Sequence, residues 1–330
     1  ACPVLKAPEK ERRSPVPYAA WSSNADARKN GASGGLFGAM ALSILNEGGV
    51  VYGAELDGFE VKHMRVETPE ELHRLQGSKY QHSSMLGVYR QIRTDLIKGR
   101  KVLFGGLSCQ VAGLVKFLGR TPRENLLTVD TICGGLSTML PMMSLRDSGR
   151  YSGIVSFRDK ENGWQAEGFR YALKMRLKNG NVENLGLDNA VLNTFSSKLL
   201  KRSSCLDCKF NGRHRLADCT IADFWGDRKF PEEHNGGLSA LMVHTAKGEA
   251  LVAGSDIGRR EVEWSDVERG NHNLTFTSYP LIRKFPWRKK ALKAQREGDF
   301  GKAAKYMATN TPEGFVLRVY LKLNELRRKH

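Results

Sequence analysis

Acidic residues are scarce in this chain of 330 residues: 35 Asp and Glu stand against 52 Lys and Arg, a formal charge of +17. Such an excess draws acidic partners through steering and local concentration. Nucleic acid, anionic cofactors and acidic electron carriers all suit it, as does a solvated basic surface with no dedicated partner. Long apolar runs are missing: none approaches the roughly 18 residues of a membrane span, and no basic start with an apolar core marks a signal peptide. Cysteine is sparse, six in the whole chain, which excludes a small scaffold stapled by disulfides. A reducing, cytoplasmic setting is the expectation. No internal repeat or low-complexity tract interrupts the chain, and His63, His82, His214 and His244 show no metal spacing. What remains is ordinary for a folded protein: 40% hydrophobic residues, with 34 glycines and enough length for two domains or one large core.

The few cysteines are placed tellingly. Cys109 stands in Gly105-Gly106-Leu107-Ser108-Cys109-Gln110, Cys133 in Ile132-Cys133-Gly134-Gly135, and Cys205 and Cys208 form a Cys-x-x-Cys pair. In a reducing compartment clustered cysteines bind metal or do redox work more often than they cross-link. Four thiolates suit a tetrahedral metal or a [4Fe-4S] cubane. Cys219 belongs to an alternating apolar stretch and reads as a small buried hydrophobe. Cys2, before Pro3, matches the last cysteine of a bacterial ferredoxin motif without the three upstream, and read alone it suits an incidental free cysteine as well as a remnant of a preceding ferredoxin-like domain.

Patterning predicts a mixed α/β fold: a central mixed sheet flanked by helices, an antiparallel hairpin region and a basic helical C-terminal tail. Ser33-Gly34-Gly35 is a glycine turn feeding an apolar helix that Gly48-Gly49 ends. Strands are expected over residues 49–54, 101–104, 126–132 and 238–245, and helices over 68–75, from 89 to 98 and over 110–118. Cys109 and Cys133 each follow the carboxyl end of a strand, where open α/β sheets gather their ligands. Residues 151–193 alternate, with Asn162-Gly163 and Asn179-Gly180 as hairpin turns. The expected division is a remnant and linker over 1–17, an amino-terminal module over 18–98, a carboxyl-terminal module with the redox site over 99–270, and the tail over 271–330.

Taken in order, Ser33-Gly34-Gly35, the strand 49–54, Gly77-Ser78-Lys79-Tyr80, the run 102–114 around Cys109, Cys205-x-x-Cys208 and Asp223-Phe224-Trp225-Gly226 resemble the coenzyme F-420 hydrogenase/dehydrogenase beta subunit family. The likeness runs from about Tyr18 to Gly248. It implies an oxidoreductase carrying FAD and a [4Fe-4S] cluster, passing electrons between a one-electron carrier and a two-electron acceptor. Cys109, Cys133, Cys205 and Cys208 are the implied cluster ligands. Ser33, Gly34, Gly35, Gly77, Ser78, Lys79, Tyr80, Gly105, Gly106, Ser108, Gln110 and Trp225 are the implied flavin contacts. Ser33-Gly34-Gly35 would offer backbone N–H groups and a helix N-terminus to the pyrophosphate. Lys79, expected to hold phosphate or the reduced flavin ring, and His82 beside it are the expected catalytic residues.

Two departures stand out: Gly-Leu-Ser-Cys-Gln replaces the family's usual Gly-Thr-Pro-Cys-Gln, and Cys133-Gly134-Gly135 replaces Cys-His-Gly. The lost histidine leaves the substrate side open. Implied partners are ferredoxin or the upstream ferredoxin-like domain, with coenzyme F-420, a polysaccharide-pathway substrate or another small molecule as acceptor; a homo-oligomer is left open. Two alternatives have different chemistry. One is a non-catalytic electron-transfer or assembly subunit. The other is a zinc-stabilised nucleic-acid-binding module, disfavoured because such modules group their ligands as two close pairs and only Cys205 and Cys208 are close.

Overall fold

A computed structural model describes residues 15–158, 160–161, 163–164, 173–186, 189–274, 280–307 and 311–326. The Cys2-Pro3 remnant, Asn162 of the first hairpin turn and most of the strand expected near Phe169 lie outside them.

Strand β1 (Pro17–Ser22) leads through α1 (Ala25–Asn30) to α2 (Leu36–Asn46), then β2 (Val50–Asp57) and β3 (Glu60–Val66). The expected helix over 68–75 is instead a 3-10 helix, Pro69–Leu75. Pro69 occupies its first turn, and short 3-10 segments of this kind serve as connectors. There follow β4 (Ser83–Ser84), α3 (Val88–Ile97), β5 (Val102–Leu107), α4 (Ser108–Leu118), β6 (Leu126–Thr131) and α5 (Leu140–Asp147). A separate hairpin layer comprises β7 (Tyr151–Ser156), β8 (Lys174–Leu177) and β9 (Val182–Asn184), paired antiparallel. The chain then runs through α6 (Ala190–Ser197), a 3-10 turn at Ser203–Leu206, β10 (Cys219–Asp223), β11 (Ser239–Val243), α7 (Ala246–Ala253), β12 (Ile257–Glu261) and α8 (Trp264–Glu268). Helices α9 (Pro280–Arg283), α10 (Arg288–Arg296), α11 (Phe300–Ala304) and α12 (Pro312–Leu326) complete it.

The main sheet has nine strands in the order β12-β1-β11-β10-β6-β5-β2-β3-β4. Its centre, β2-β5-β6-β10, is parallel, so the carboxyl ends of these strands open on one edge. Parallel strands need both faces covered, and successive residues show it: Leu103 joins the core under α2 and α7, while Val102 and Phe104 join the core under α3 and α4. Burying such a side chain stabilises the fold by about 1.5–3 kcal/mol.

The expected basic C-terminal tail is helical, and its helices pack onto the segment that carries Cys205. Ile282, Phe285, Ala291, Ala303, Tyr306 and Leu317 pack around Leu199, Leu200 and Leu206, the segment that carries Cys205. Arg288, 5% exposed, donates to the carbonyls of Leu199 at 2.7 Å and Lys201 at 3.0 Å. Basic residues coat the outer faces of these helices, while their inner faces clamp the cysteine loop.

Candidate functional site

A cavity of about 310 Å³ opens at the carboxyl edge of the parallel strands. Gly105, Gly106 and Leu107 from the end of β5, and Val129 to Leu136 from β6 and the loop after it, line one side. Phe37, His63, the segment Gly77–Gln81 and Phe195 line the others. Gly105 is dictated by the space: a Cβ there would stand 2.3 Å from the Phe37 ring. Of the expected flavin contacts, Gly77, Ser78, Lys79, Tyr80, Gly105, Gly106 and Gln110 line this cavity. Gln110 also fixes its rim, accepting from the Leu107 N–H at 2.8 Å and donating to Ser83 at 2.9 Å.

The others go elsewhere. The Gly34 N–H donates to Ser239 Oγ at 2.9 Å, the Gly35 N–H donates to the Ala32 carbonyl, and the Ser33 hydroxyl donates to Asp223. A Cβ on Gly34 would meet the Ala20 carbonyl at 2.5 Å. The glycine turn is thus tied to β1 and β11, and none of Ser33, Gly34 and Gly35 lines the cavity. Ser108 accepts from Arg215, behind the cavity floor. Trp225 stacks on Trp164 at 5.9 Å under the Arg158 guanidinium, away from the cavity.

Of the two expected catalytic residues, the structure brings one to the cavity. Lys79 Nζ donates to the carbonyls of Leu75 at 2.9 Å and Gln76 at 2.6 Å, which end the 3-10 helix. Burial pulls its pKa down to about 8, against the attraction of Glu55. His82 instead has an exposed side chain and lines a neighbouring cavity of about 320 Å³, with Met139, Met142, Met143 and Arg146. The two cavities share Val61 and Gln81.

Two cavity residues escaped the sequence reading. His63, which the sequence shows only to lack metal spacing, is 7% exposed, stacks on Phe104 and has Nε2 at 2.9 Å from the Gly105 carbonyl. Burial above all holds its pKa near 4. Gln81, also 7% exposed, was not singled out. A signal in the sequence was available for Gln81 alone, which stands two residues past Lys79.

The four cysteines are free thiols, all partly buried. Cys109 lies in the first turn of α4, after β5, and Cys133 just past β6, so parallel neighbours bring both to the cavity edge; Cys133 lines the cavity itself. Cys205 comes from the 3-10 turn that the C-terminal helices clamp. The Gly135 N–H donates to Cys133 Sγ at 3.2 Å, and the Leu136 N–H donates to Cys205 Sγ at 3.5 Å. Burial pushes the Cys109 thiol up to about 12, and the neighbouring Cys133, Cys208 and Cys205 push it further the same way. Cys133 is raised by burial too, but the Gly135 N–H and Lys201 draw it back. Lys201, 2% exposed, sits among these sulfurs; burial first, then Lys198, lowers its pKa to about 7.

Among the described residues no three His, Cys, Asp or Glu side chains stand in metal-binding geometry. The thiols share one edge without closing round a centre. In number, type and charge environment they fit a thiolate-bound group: four sulfurs with Cys205 and Cys208 close enough to oppose the ionisation of Cys109 and Cys133, backbone N–H donors to two of the four, and a buried lysine beside them.

Comparison with known proteins adds family and fold. Residues 17–90 match the model for the coenzyme F420 hydrogenase/dehydrogenase beta subunit N-terminus, and residues 99–267 the model for its C-terminus. Among solved structures, a chain of the F420-reducing [NiFe] hydrogenase complex from Methanosarcina barkeri is similar in fold. Its TM-score is 0.54 at 16% identity, over 87% of this chain and 93% of that one. No curated protein matches the sequence.

Proposed function

From the premise that the chain belongs to the coenzyme F420 hydrogenase/dehydrogenase beta subunit family, we propose that it is an iron-sulfur flavoprotein. In this reading it moves electrons between a one-electron carrier and a two-electron acceptor. FAD lies with its ring in the 310 Å³ cavity, and Cys109, Cys133, Cys205 and Cys208 hold a [4Fe-4S] cluster. Flavin exchanges electrons singly or in pairs and the cluster singly, so the pair couples one-electron to two-electron chemistry. The observation that supports this reading is Cys133, which lines the ring-sized cavity and whose thiol is raised by burial first and then by the nearby Cys205 and Cys208.

The chain's own residues have definable parts. Lys79 keeps one N–H beyond the two it gives to carbonyls, and that N–H is available to an anionic ring. Phe37, Leu75 and Phe195 exclude water from the ring faces. Gly135 and Leu136 donate to sulfur and spread its negative charge. The charge of +17 supports docking of an acidic carrier such as ferredoxin. The solved relative belongs to an F420-reducing hydrogenase complex, which supports coenzyme F-420 as the acceptor and a partner subunit as donor.

Anaerobic reconstitution followed by visible spectroscopy and metal analysis tests the proposal. Flavin absorbance with about 4 iron atoms per chain is the expected result. Cys208→Ala should lose the iron and keep the flavin. A reconstituted protein with neither flavin nor iron would end the reading.

A further inference from the structure

Two buried side chains of the cavity carry hydrogen-bonding atoms that no group among the described residues meets. The His63 Nε2 position faces a carbonyl oxygen, which only accepts, so Nε2 carries the proton and the neutral ring leaves Nδ1 as a bare acceptor. His63 Nδ1 is buried without a partner, and so are both Nε2 and Oε1 of Gln81. Each such atom destabilises the fold when left dry and unpaired. Both residues line the same cavity, as does Lys79 with its remaining N–H. The cavity therefore offers an acceptor and donors within a lining that also includes Phe37, Leu75 and Phe195. The complementary edge is an N–H flanked by carbonyls, as in the imide edge of a pyrimidinedione ring.

We infer that His63 and Gln81 are the residues that recognise the imide edge of the flavin ring, His63 Nδ1 accepting from the ring N–H and the Gln81 amide donating to an adjacent ring carbonyl. The assignment rests on the flavin reading above and adds the residues that select the ring. It makes them positioning residues, and it explains why a histidine and a glutamine with unspent polar atoms occupy an otherwise apolar enclosure. A site built to bond a ligand N–H discriminates strongly against an analogue that lacks it.

The experiment titrates the protein with FAD and with FAD methylated on the ring imide nitrogen, following quenching of flavin fluorescence. Wild type should bind the methylated form at least about tenfold more weakly. His63→Phe, which keeps the stack on Phe104, should weaken FAD by about tenfold and abolish the discrimination. Gln81→Leu should weaken both flavins and keep the discrimination, because the ring N–H still meets His63. Equal binding of the two flavins by wild type overturns this inference and leaves the flavoprotein reading standing. No binding of either overturns both. The wild-type comparison needs no substitution, so a variant that fails to fold does not blunt the test.

Discussion

Arg215 and Asp130 form a 3.1 Å ion pair with neither side chain exposed, behind a cavity that Asp130 helps to line. Asp130 also accepts from Thr220 at 2.5 Å, and Thr220 lies 2.9 Å from His244 Nε2. Two charges removed from water are held by their mutual attraction and by the remaining hydrogen bonds, so the pair adds little over an apolar filling but is costly to break. Arg215→Met should therefore cost about 3–5 kcal/mol in chemical denaturation, because Asp130 is left buried and uncompensated. Adding Asp130→Asn should return part of that loss. A single variant within about 0.5 kcal/mol of wild type would mean that water reaches Asp130. The sequence gives no sign of this pair: one Asp in an apolar strand and one Arg in a basic loop look unrelated until β6 and β10 lie side by side.

At the scale of elements, the strand-helix alternation was legible because parallel strands buried on both faces leave short apolar runs bounded by glycine, as in Val102–Gly106. The edge that gathers Cys109 and Cys133 followed from the same pattern. Two things were not legible. Strand β3 alternates, and alternation shows which residues share a face but not that His63 on one of them meets a cavity rather than packed core. The C-terminal helices read as a basic tail because 10 of the 40 residues from 284 to 323 are Lys or Arg, while their apolar stripe has no partner visible in sequence. That partner is the Leu199–Leu206 segment, held also by Arg288. Hydrogen bonds from a charged donor are worth about 1.5–3 kcal/mol each. Arg288→Ala should speed hydrogen exchange over 199–208 by at least about tenfold, with the parallel strands unchanged. Uniform acceleration across the molecule would instead mark Arg288 as part of the global core.

For the whole molecule, the response to acid follows from two histidines in different places, His63 at the cavity and His244 at the end of β11. Both are held near pKa 4, by burial first in each case, whereas an unfolded histidine titrates near 6.5. The groups facing them pull in both directions: Lys79 and His82 lower His63 while the Gly105 carbonyl raises it, and for His244 Asp130 and Asp218 oppose Arg215 and His214. Between about pH 4 and 6.5 the unfolded chain binds more protons than the folded one. Stability therefore rises with pH across that window and is lost as pH falls from about 6.5 through 4. Each histidine contributes at most about 3 kcal/mol, and ordinary carboxylates, with pKa values near 4, add to the loss only toward the low end of the window. Urea midpoints should accordingly fall between pH 7 and 5. His244→Gln, which keeps a polar partner for Thr220, should flatten the slope by up to half. If midpoints stay level over that interval, both rings take up protons in the folded protein as easily as in the unfolded one, and burial does not hold them neutral.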